Sequence, residues 1–360
     1  MKPLSFIIIG CGWRAMFFVR IAKRFPEHFQ LKYMLCRSRE KAERIAAEQG
    51  IRTTTSAAEC EAVRPDFVVA SVSRDAMCQV TEEWAKKGFA VLCETPAGMN
   101  VEELKRLWEL KESGGAKIQV AEQYIRYPIV AAGLRAVRQG RLGEPYGVRL
   151  SVAHDYHGAS LIRHMLGIEP GPVRMRGQRY TIPVTQTDSR YGAITDGSVK
   201  QWDRGCISME FTGKAAAGKT AYYDFSGVQY HSFIRSRHLN VQGRDGEWND
   251  TVLRYIGEDG LPVKEALLPW LAPEYRELET EELRKTAGQW NPALELDCAQ
   301  DEYAIASMMF DMRAYLEGGR EVYPLAEALE DAYTWLLMEK AWQNPGEMIE
   351  SEPMPWHGNQ

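Results

Sequence analysis

Short, unbroken apolar runs alternate with amphipathic stretches through the first 120 residues. Runs of this kind are typical of parallel strands that are buried on both faces of a sheet. They predict five strands, at positions 6–9, 31–36, 66–72, 90–93 and 117–121. Helices are predicted after the first strand and between the others, at 39–49, 76–87 and 100–110. Repeated strand–helix units with short connections favour an α/β fold that begins with a Rossmann domain, a doubly wound parallel sheet.

The pattern changes after residue 125. A helix predicted at 129–140 is followed by short alternating segments separated by turn residues, which predict an α+β domain with an open, mainly antiparallel sheet. Its strands are expected at 146–154, 173–184, 205–212, 219–225, 228–242 and 251–256, and two helices at 297–316 and 325–342. We therefore expect one domain at 1–124, a second at 125–350 and a polar tail at 351–360. Helices within 297–343 are candidates for packing back on the first domain.

Composition narrows the class of protein. The chain has 360 residues, of which 45% are hydrophobic and 26% charged, and a net charge of −5. This mild negative charge gives no electrostatic reason to expect nucleic acid or an anionic membrane as a partner. No apolar stretch approaches the roughly 20 residues that a membrane span needs, and no signal-peptide pattern precedes the first strand. Seven scattered cysteines without CxxC pairs are typical of reduced thiols. We expect a cytoplasmic protein.

A glycine-rich turn follows the first predicted strand. Its sequence is Gly10-Cys11-Gly12-Trp13-Arg14-Ala15, and it leads directly into a helical pattern. The first glycine permits a tight turn, the second lets backbone N–H groups approach a pyrophosphate, and the small Ala15 lets the helix pack closely on the sheet. The N-terminus of that helix would hold the anion through its unpaired N–H groups and its dipole. The turn therefore predicts a dinucleotide-binding site.

The end of the second predicted strand bears on cofactor preference. NAD enzymes usually place an acidic residue there to bind the ribose 2′-hydroxyl. This chain has Cys36-Arg37-Ser38-Arg39 instead. Because Arg37 and Ser38 could hold a 2′-phosphate through charge-assisted hydrogen bonds, the sequence favours NADP(H) over NAD(H). The alternative is that Arg37 and Arg39 are solvated loop charges.

Four ordered segments resemble the Gfo/Idh/MocA oxidoreductases. They are Cys93–Pro96, Glu122–Pro128, Gly140–Pro145 and His157–Gly167. The resemblance implies a Rossmann domain joined to a C-terminal α/β domain for substrate binding and oligomerisation, with the nicotinamide between the two. It also implies hydride transfer at a hydroxyl or carbonyl carbon of a sugar, polyol or related molecule, by a homodimer or homotetramer. Its implied cofactor contacts beyond the glycine turn and the Arg37 segment are Ser71, Ser73, Glu94, Thr95, Pro96 and Gln123.

The chain departs from the family pattern at the positions that usually transfer the proton. The usual Glu-Lys-Pro is Glu94-Thr95-Pro96, so the lysine is replaced by Thr95. Aligning the later family histidine with His157 places Ala153 and Ser160 where the family has aspartates. Met77 stands where a histidine often follows the third strand. The resemblance therefore supports cofactor binding and leaves the acid/base group open.

His157 is the first candidate for that group, because it matches the family histidine and opens a helix. Asp155 could orient its ring, and Tyr124 and Tyr156 are further proton donors. The alternative for His157 is a helix-capping or packing role. The nearby His154 invites a metal hypothesis, but in a strand its side chain and that of His157 would point to opposite faces. We expect no metal.

Three functions remain open from the sequence. The first is an NAD(P)-dependent oxidoreductase with a nonstandard acid/base group. The second is a cofactor-binding sensor or partner subunit that has lost dehydrogenase chemistry. The third is nicotinamide-assisted elimination or glycoside cleavage. Aromatic residues of the second half would bind a sugar ring or fill the sheet core and a subunit interface, among them Tyr180, Tyr191, Trp202, Tyr222, Tyr223, Tyr230, Phe233 and Trp248.

Overall fold

The computed structural model describes residues 2–189, 192–267 and 300–358. Its chain divides into two compact units. The first comprises residues up to Gln123 together with Asp301–Ala332, and the second comprises residues from Tyr124 to Gln300 and from Tyr333 onwards. Tyr191, Cys298 and the first three positions of the helix predicted at 297–316 lie outside the described residues.

The first unit is built on a six-stranded parallel sheet with the strand order β3-β2-β1-β4-β5-β6. Its strands are β1 (Leu4–Ile9), β2 (Phe29–Leu35), β3 (Thr53–Thr54), β4 (Phe67–Ala70), β5 (Val91–Cys93) and β6 (Ile118–Val120). Its helices are α1 (Ala15–Arg24), α2 (Arg39–Gln49), α3 (Ala57–Ala62), α4 (Arg74–Lys86) and α5 (Val101–Gly114). The sequence did not predict β3 and α3, whose two and six residues are too short to show a period.

Apolar burial explains why these elements form. All six residues of β1 are buried, as a strand covered on both faces requires. Phe17, Phe18 and Ile21 lie on the buried side of α1. The C-terminal helix α8 (Gln300–Leu316) adds Met308 and Met312 to the same core cluster. Within the first unit, this late segment therefore covers the sheet that the N-terminal residues form.

The second unit is built on a nine-stranded sheet with the order β16-β15-β14-β13-β7-β12-β11-β8-β17 among the described residues. Neighbouring strands are antiparallel except β7 and β12, which are parallel. The strands are β7 (Pro145–Ser151), β8 (Val173–Thr185), β11 (Val199–Phe211), β12 (Thr220–Ser226), β13 (His238–Gly243), β14 (Gly246–Asn249), β15 (Val252–Ile256), β16 (Pro262–Ala266) and β17 (Ile349–Glu350); β9 (Asp188–Ser189) and β10 (Gly192–Ala193) form a separate pair. Its helices are α6 (Pro128–Arg138), α7 (Asp155–Leu166) and, from Tyr333 onwards, α9 (Leu325–Gln343), with two short 3₁₀ helices at Tyr124–Arg126 and Gly227–Tyr230.

One predicted strand was wrong. The segment 228–242 was expected to be a single strand, but it begins in the 3₁₀ helix Gly227–Tyr230 and becomes strand only at His238. A local hydrogen bond opposes strand pairing here, because the Gln229 side chain accepts from the Ser226 N–H at 2.9 Å. This irregular segment places Tyr230 near the start of α7, as described below.

The tail is packed over its described length. The Ser351 N–H donates to the Val173 carbonyl at 2.9 Å, and the Glu352 N–H donates to the Tyr333 hydroxyl at 2.7 Å. Met354 and Trp356 are buried. No helix of the described residues is long and apolar enough to cross a membrane.

Candidate functional site

The glycine turn lies where the strand order of the first sheet reverses. Strand β1 runs between β2 and β4, so the connections to its two sides diverge at its carboxyl end. Ligands of doubly wound sheets bind at this switch point. Gly10 has φ +103°, and a Cβ atom there would lie 2.1 Å from the Ser71 carbonyl oxygen. A Cβ at Gly12 would meet nothing within 4 Å. Gly10 is therefore required for the fold, whereas Gly12 keeps space open on the surface of the turn.

Helix α1 begins immediately after this turn. Arg14 is its N-cap residue and provides no side-chain cap, and Ala15 is fully buried against the sheet. The first N–H groups of an α-helix have no partner within the helix. Together with the open space at Gly12, this end of α1 fits the pyrophosphate of a dinucleotide.

Arg14 joins the glycine turn to the Glu-Thr-Pro segment. Its Nε donates to the Glu94 Oε1 at 2.9 Å, and its Nη1 lies 3.5 Å from Asp301 Oδ1. Burial raises the pKa of the Glu94 carboxyl above its usual value, while Arg14 opposes the shift. Thr95 is half-buried and precedes Pro96 through a cis peptide bond. Met77, which the sequence resemblance aligns with a histidine, is packed in the core.

The three polar residues that follow Cys36 after β2 have different surroundings. Ser38 is the N-cap of α2, where its hydroxyl accepts from the Lys41 N–H at 3.4 Å. The Arg39 Nε lies 2.8 Å from the Glu43 Oε1, so Arg39 forms an ion pair on the surface of α2. Arg37 is exposed just before the helix N-terminus. Of the two arginines, Arg37 is therefore the one that fits a 2′-phosphate.

Three further predicted cofactor contacts have different surroundings. Ser71 is buried and its N–H donates to the Ile9 carbonyl at 2.9 Å, while Ser73 is the exposed N-cap of α4. Gln123 is only 4% exposed, and its Oε1 has no hydrogen-bond partner among the described residues. Because buried polar atoms are nearly always hydrogen-bonded, this acceptor fits a ligand donor or an ordered water.

In the second unit, the start of α7 brings the predicted acid/base residues together. His154 is the N-cap, and its ring centroid lies 5.0 Å from that of His157. The His157 ring lies 4.4 Å from Tyr124 and 4.5 Å from Tyr156, also between centroids. The strand expected over 146–154 ends at Ser151, because the chain turns into α7 at Asp155. The opposite orientation expected of the two histidines in a strand therefore does not apply, because His154 is the N-cap of α7 and His157 lies in the first turn of that helix.

Tyr230 connects this cluster, although the sequence analysis named it only among aromatic residues for sugar stacking or packing. Its Oη lies 3.1 Å from the Tyr124 Oη and 2.5 Å from the His154 Nδ1, and it accepts from the His154 backbone N–H at 3.0 Å. Burial raises the pKa of the Tyr230 phenol well above its usual value. A phenol has two acceptor sites and one proton. With Tyr124 and the backbone N–H as donors, the Tyr230 proton is directed to the His154 Nδ1.

Asp155 is fixed through its backbone. It has φ +49°, its N–H donates to the Tyr223 hydroxyl at 3.2 Å, and that hydroxyl donates to the Ala153 carbonyl at 3.0 Å. A left-handed conformation outside glycine is strained and is common at functional sites. Burial foremost, and then the Asp155 charge, raises the pKa of Tyr223. The strained turn therefore fixes the direction in which α7 begins.

His164 lies two turns after His157 on α7 and has a different environment. Burial lowers the pKa of its imidazole to about 3, with further contributions from Arg163 and Arg138. It is therefore neutral at ordinary pH. Within residues 2–189, 192–267 and 300–358, no group of three or more His, Cys, Asp or Glu side chains is placed to hold a metal ion.

These observations define a Rossmann-type dinucleotide-binding protein. Residues 4–122 match the model of the Gfo/Idh/MocA family, described as an oxidoreductase family with an NAD-binding Rossmann fold. This match covers the first domain and agrees with the family that the sequence motifs resemble. No curated protein sequence matches the chain.

Solved structures extend the similarity of fold to both domains. An NAD-binding oxidoreductase from Klebsiella pneumoniae has a TM-score of 0.71 and 15% identity, over 98% of this chain and 100% of that one. An Agrobacterium radiobacter oxidoreductase in complex with NAD⁺, L-tartaric acid and magnesium has a TM-score of 0.68 and 15% identity, over 97% and 98%. The WlbA dehydrogenase from Chromobacterium violaceum, in complex with NADH and UDP-GlcNAcA, has a TM-score of 0.66 and 14% identity, over 98% and 97%. The predicted fold class is confirmed.

Proposed function

We propose that this protein transfers a hydride between NAD(P) and a hydroxyl or carbonyl carbon of a sugar, polyol or related small molecule. The observation that carries the proposal is the glycine turn at the switch point, with Gly10 locked against Ser71 and open space at Gly12. The match of the first domain to the model of an oxidoreductase family supports a redox role for the bound nucleotide. When bound, the nicotinamide ring supplies or accepts the hydride.

The cofactor site of this proposal combines two groups of residues. The turn Gly10-Cys11-Gly12-Trp13-Arg14-Ala15 would hold the pyrophosphate, and Ser71, Ser73, Glu94, Thr95, Pro96 and Gln123 would contact the remainder. NADP(H) is preferred, because the exposed Arg37 and the N-terminus of α2 at Ser38 together favour a 2′-phosphate.

Oxidation of an alcohol also removes the hydroxyl proton, and Tyr124 is the proposed acceptor. As the substrate O–H bond breaks, an O–H bond forms at Tyr124 Oη, the Tyr124 proton moves to Tyr230 Oη, and the Tyr230 proton moves to His154 Nδ1. Reduction of a carbonyl runs the same transfers in reverse. The distances of 3.1 Å and 2.5 Å along this chain support direct transfer without an intervening water.

His157, Tyr156 and Asp155 complete the proposed catalytic group. His157 is buried with its ring against Tyr124, so it shapes the surroundings of the phenol and is the second candidate for the acid/base group. Tyr156 contacts the same imidazole, with the two ring centroids 4.5 Å apart. Asp155 sets the direction in which this end of α7 begins.

Two similar proteins guide the choice of substrates. The structure with UDP-GlcNAcA supports a nucleotide-linked or free sugar acid, and the structure with L-tartaric acid supports a small hydroxy acid. Both ligands carry secondary hydroxyl groups beside a carboxylate. We therefore place carboxylated polyols and sugars first among the compounds to be tested.

Assembly and location are further parts of the proposal. Tyr146, Tyr180 and Tyr222 are exposed large aromatic residues on the nine-stranded sheet. Aromatic residues are enriched in protein interfaces, so this face would join two copies of the chain in a homodimer or homotetramer. The six described cysteines are free thiols, which supports a reducing, cytoplasmic environment.

Two other functions are also consistent with particular features of the chain. Thr95 and Ala153 stand where the resemblance implies a lysine and an aspartate, which favours a sensor or partner subunit that binds the cofactor without net dehydrogenase chemistry. Nicotinamide-assisted elimination or glycoside cleavage needs the same nucleotide site and an acid/base group. It would leave the total amount of cofactor unchanged.

A panel of carboxylated sugars, polyols and keto acids tests these functions together. The oxidoreductase proposal predicts a change in absorbance at the nicotinamide band that is lost in Gly12→Ala. Nucleotide binding with no absorbance change and no product would favour the sensor. Product without net cofactor consumption would favour elimination. Full turnover of His157→Phe would remove His157 from the mechanism.

A further inference from the structure

Ser236, His238 and Asp250 form a hydrogen-bonded series in the second unit. The Ser236 Oγ lies 2.7 Å from the His238 Nε2, and the His238 Nδ1 lies 3.3 Å from the Asp250 Oδ2. Ser236 comes two positions before His238, which begins β13, and Asp250 directly follows β14. A serine bonded to an imidazole that a carboxylate orients is the arrangement that makes a hydroxyl nucleophilic. The oxidoreductase site proposed above uses none of these three residues.

The carboxylate sets the direction of the hydrogen bonds in this series. An ionised carboxylate can only accept a hydrogen bond, so a neutral His238 ring that binds Asp250 carries its proton on Nδ1. The Nε2 atom is then an acceptor and receives the hydrogen bond from the Ser236 hydroxyl. His238 is therefore oriented as a base towards Ser236, and Asp250 is a positioning residue that selects the tautomer.

Backbone contacts hold Asp250 in place. Its Oδ1 accepts from the Leu239 N–H at 2.9 Å, and its own N–H donates to the Leu239 carbonyl at 3.0 Å. Its carbonyl accepts from Nε1 of the buried Trp248 at 2.7 Å. The residue has φ +50°, a left-handed conformation that is uncommon outside glycine and concentrates at functional sites. These contacts orient the carboxylate before a ligand binds.

Ser236 is held through its backbone and is open to solvent. Its carbonyl accepts from Nε2 of the buried Gln229 at 2.8 Å. Ser236 is exposed, and the His238 side chain is 64% exposed, whereas the Asp250 side chain is 29% exposed. A compound can therefore reach the hydroxyl from solvent, while the carboxylate that orients the base is better shielded.

We propose that Ser236 is an acyl-accepting nucleophile and that this series hydrolyses activated carboxylic esters. The Ser236 Oγ attacks the ester carbonyl carbon as its proton moves to the His238 Nε2. The bond to the leaving alcohol breaks, the proton passes from Nε2 to that alcohol, and an acyl ester remains on Ser236. Water then attacks this ester and gives a proton to Nε2, which returns it to Ser236 as the carboxylic acid leaves. One ester and one water become one acid and one alcohol.

Exposure determines which esters react. Stabilisation of a developing oxyanion by preorganised donors is worth most in a site that excludes water. At an exposed serine, water solvates the oxyanion instead, so the reaction needs a good leaving group. We therefore expect cleavage of phenyl esters and no cleavage of amides.

Acetylation by p-nitrophenyl acetate tests the proposal on the full chain. We expect a burst of p-nitrophenolate before slower turnover, and an acetyl group on Ser236 in peptides mapped by mass spectrometry. Ser236→Ala should lower the burst about tenfold or more and remove the acetylated peptide. Ser208→Ala, which removes another exposed hydroxyl of the second unit, should leave both unchanged.

Two further variants test the base and the positioning residue. His238→Gln should slow acetylation of Ser236 about 10²-fold, because an amide cannot take the proton. Asp250→Asn keeps the left-handed backbone, which asparagine adopts readily, and should slow acetylation about tenfold. It should also change the ¹⁵N chemical shifts of the His238 ring, because the Nδ1–H tautomer is no longer selected.

The outcomes decide the proposal independently of the nucleotide site. Acetylation of Ser236 that falls in His238→Gln and Asp250→Asn, with the fold retained by circular dichroism, supports it. Acetylation of lysines alone, Ser236 acetylation at the wild-type rate in His238→Gln, or equal bursts in Ser236→Ala and Ser208→Ala overturns it. Ester cleavage needs no nucleotide, so a protein that binds neither NADPH nor NADH contradicts only the oxidoreductase proposal.

Discussion

The cofactor turn and the tyrosine–histidine cluster are built in opposite ways. The turn is six consecutive residues, so its glycine spacing alone determines where N–H groups and open space lie. The cluster joins Tyr124 to Tyr230 across 106 positions and His154 to Tyr230 across 76. A nucleotide site of this kind can be formed by one short motif. The proposed proton transfer instead needs residues that are distant in sequence to pack together. The two regions should therefore respond differently to substitution.

The largest effect is expected from Gly10→Ala. Its Cβ would collide with the Ser71 carbonyl at 2.1 Å, and alanine disfavours φ +103°. We expect a loss of about 3 kcal/mol or more in the free energy of unfolding. Gly12→Ala is the matched control, with a change of about 0.5 kcal/mol because its Cβ meets nothing within 4 Å. Urea unfolding followed by circular dichroism measures both, and equal stability of the two variants would contradict the geometry.

Tyr124→Phe is expected to have the next largest effect. It removes the proposed proton acceptor and keeps the ring against His157. On a substrate found in the panel, kcat should fall about 10³-fold, as is usual for loss of a general acid or base, while NADPH affinity stays within about twofold of wild type. Steady-state kinetics and a binding titration check this. Undiminished kcat would move the role to His157.

Tyr230→Phe should have a smaller effect on the same step. It breaks the link to His154 but leaves the Tyr124 hydroxyl in place, so we expect kcat to fall about 10²-fold. A shifted pH–rate profile is also expected, because His154 no longer exchanges a proton with Tyr124. Tyr255→Phe, which removes a hydroxyl bonded to Glu265, is the control and should leave both unchanged. An unshifted profile in Tyr230→Phe would make the residue merely structural.

Arg37→Ala is expected to have the smallest effect. Loss of one charge-assisted hydrogen bond should weaken NADPH binding about tenfold and leave NADH binding unchanged. Arg39→Ala serves as the control, since Arg39 is paired with Glu43. Calorimetry with both nucleotides measures the effect. Unchanged NADPH affinity in both variants would support the alternative that both arginines are solvated loop charges.

The same contrast explains what the sequence could predict. The apolar runs at β1, β4 and β5 determine the parallel sheet because buried strands need uninterrupted apolar residues, and the glycine turn follows from backbone sterics. Tyr230 could not be assigned to the cluster, since no local period marks a residue whose partners are distant in sequence. Its placement depends on the 3₁₀ helix at Gly227–Tyr230, which the alternation of the segment concealed.

The start of α7 shows a second limit. His154 and Asp155 follow a strand without an obvious break, and only the left-handed backbone of Asp155 reveals how the chain turns there. That conformation depends on the Tyr223 hydroxyl, which bonds the backbone on both sides of the turn. Single-residue strain of this kind depends on tertiary contacts, so the sequence pattern does not encode it.

A titration of NADPH and NADH against wild-type protein and Gly12→Ala tests whether the glycine turn binds the nucleotide. We expect the wild-type protein to bind NADPH more tightly than NADH, and Gly12→Ala to keep its fold while losing both affinities. Failure of the wild type to bind either nucleotide would contradict a nucleotide site at this turn, as would unchanged binding by Gly12→Ala.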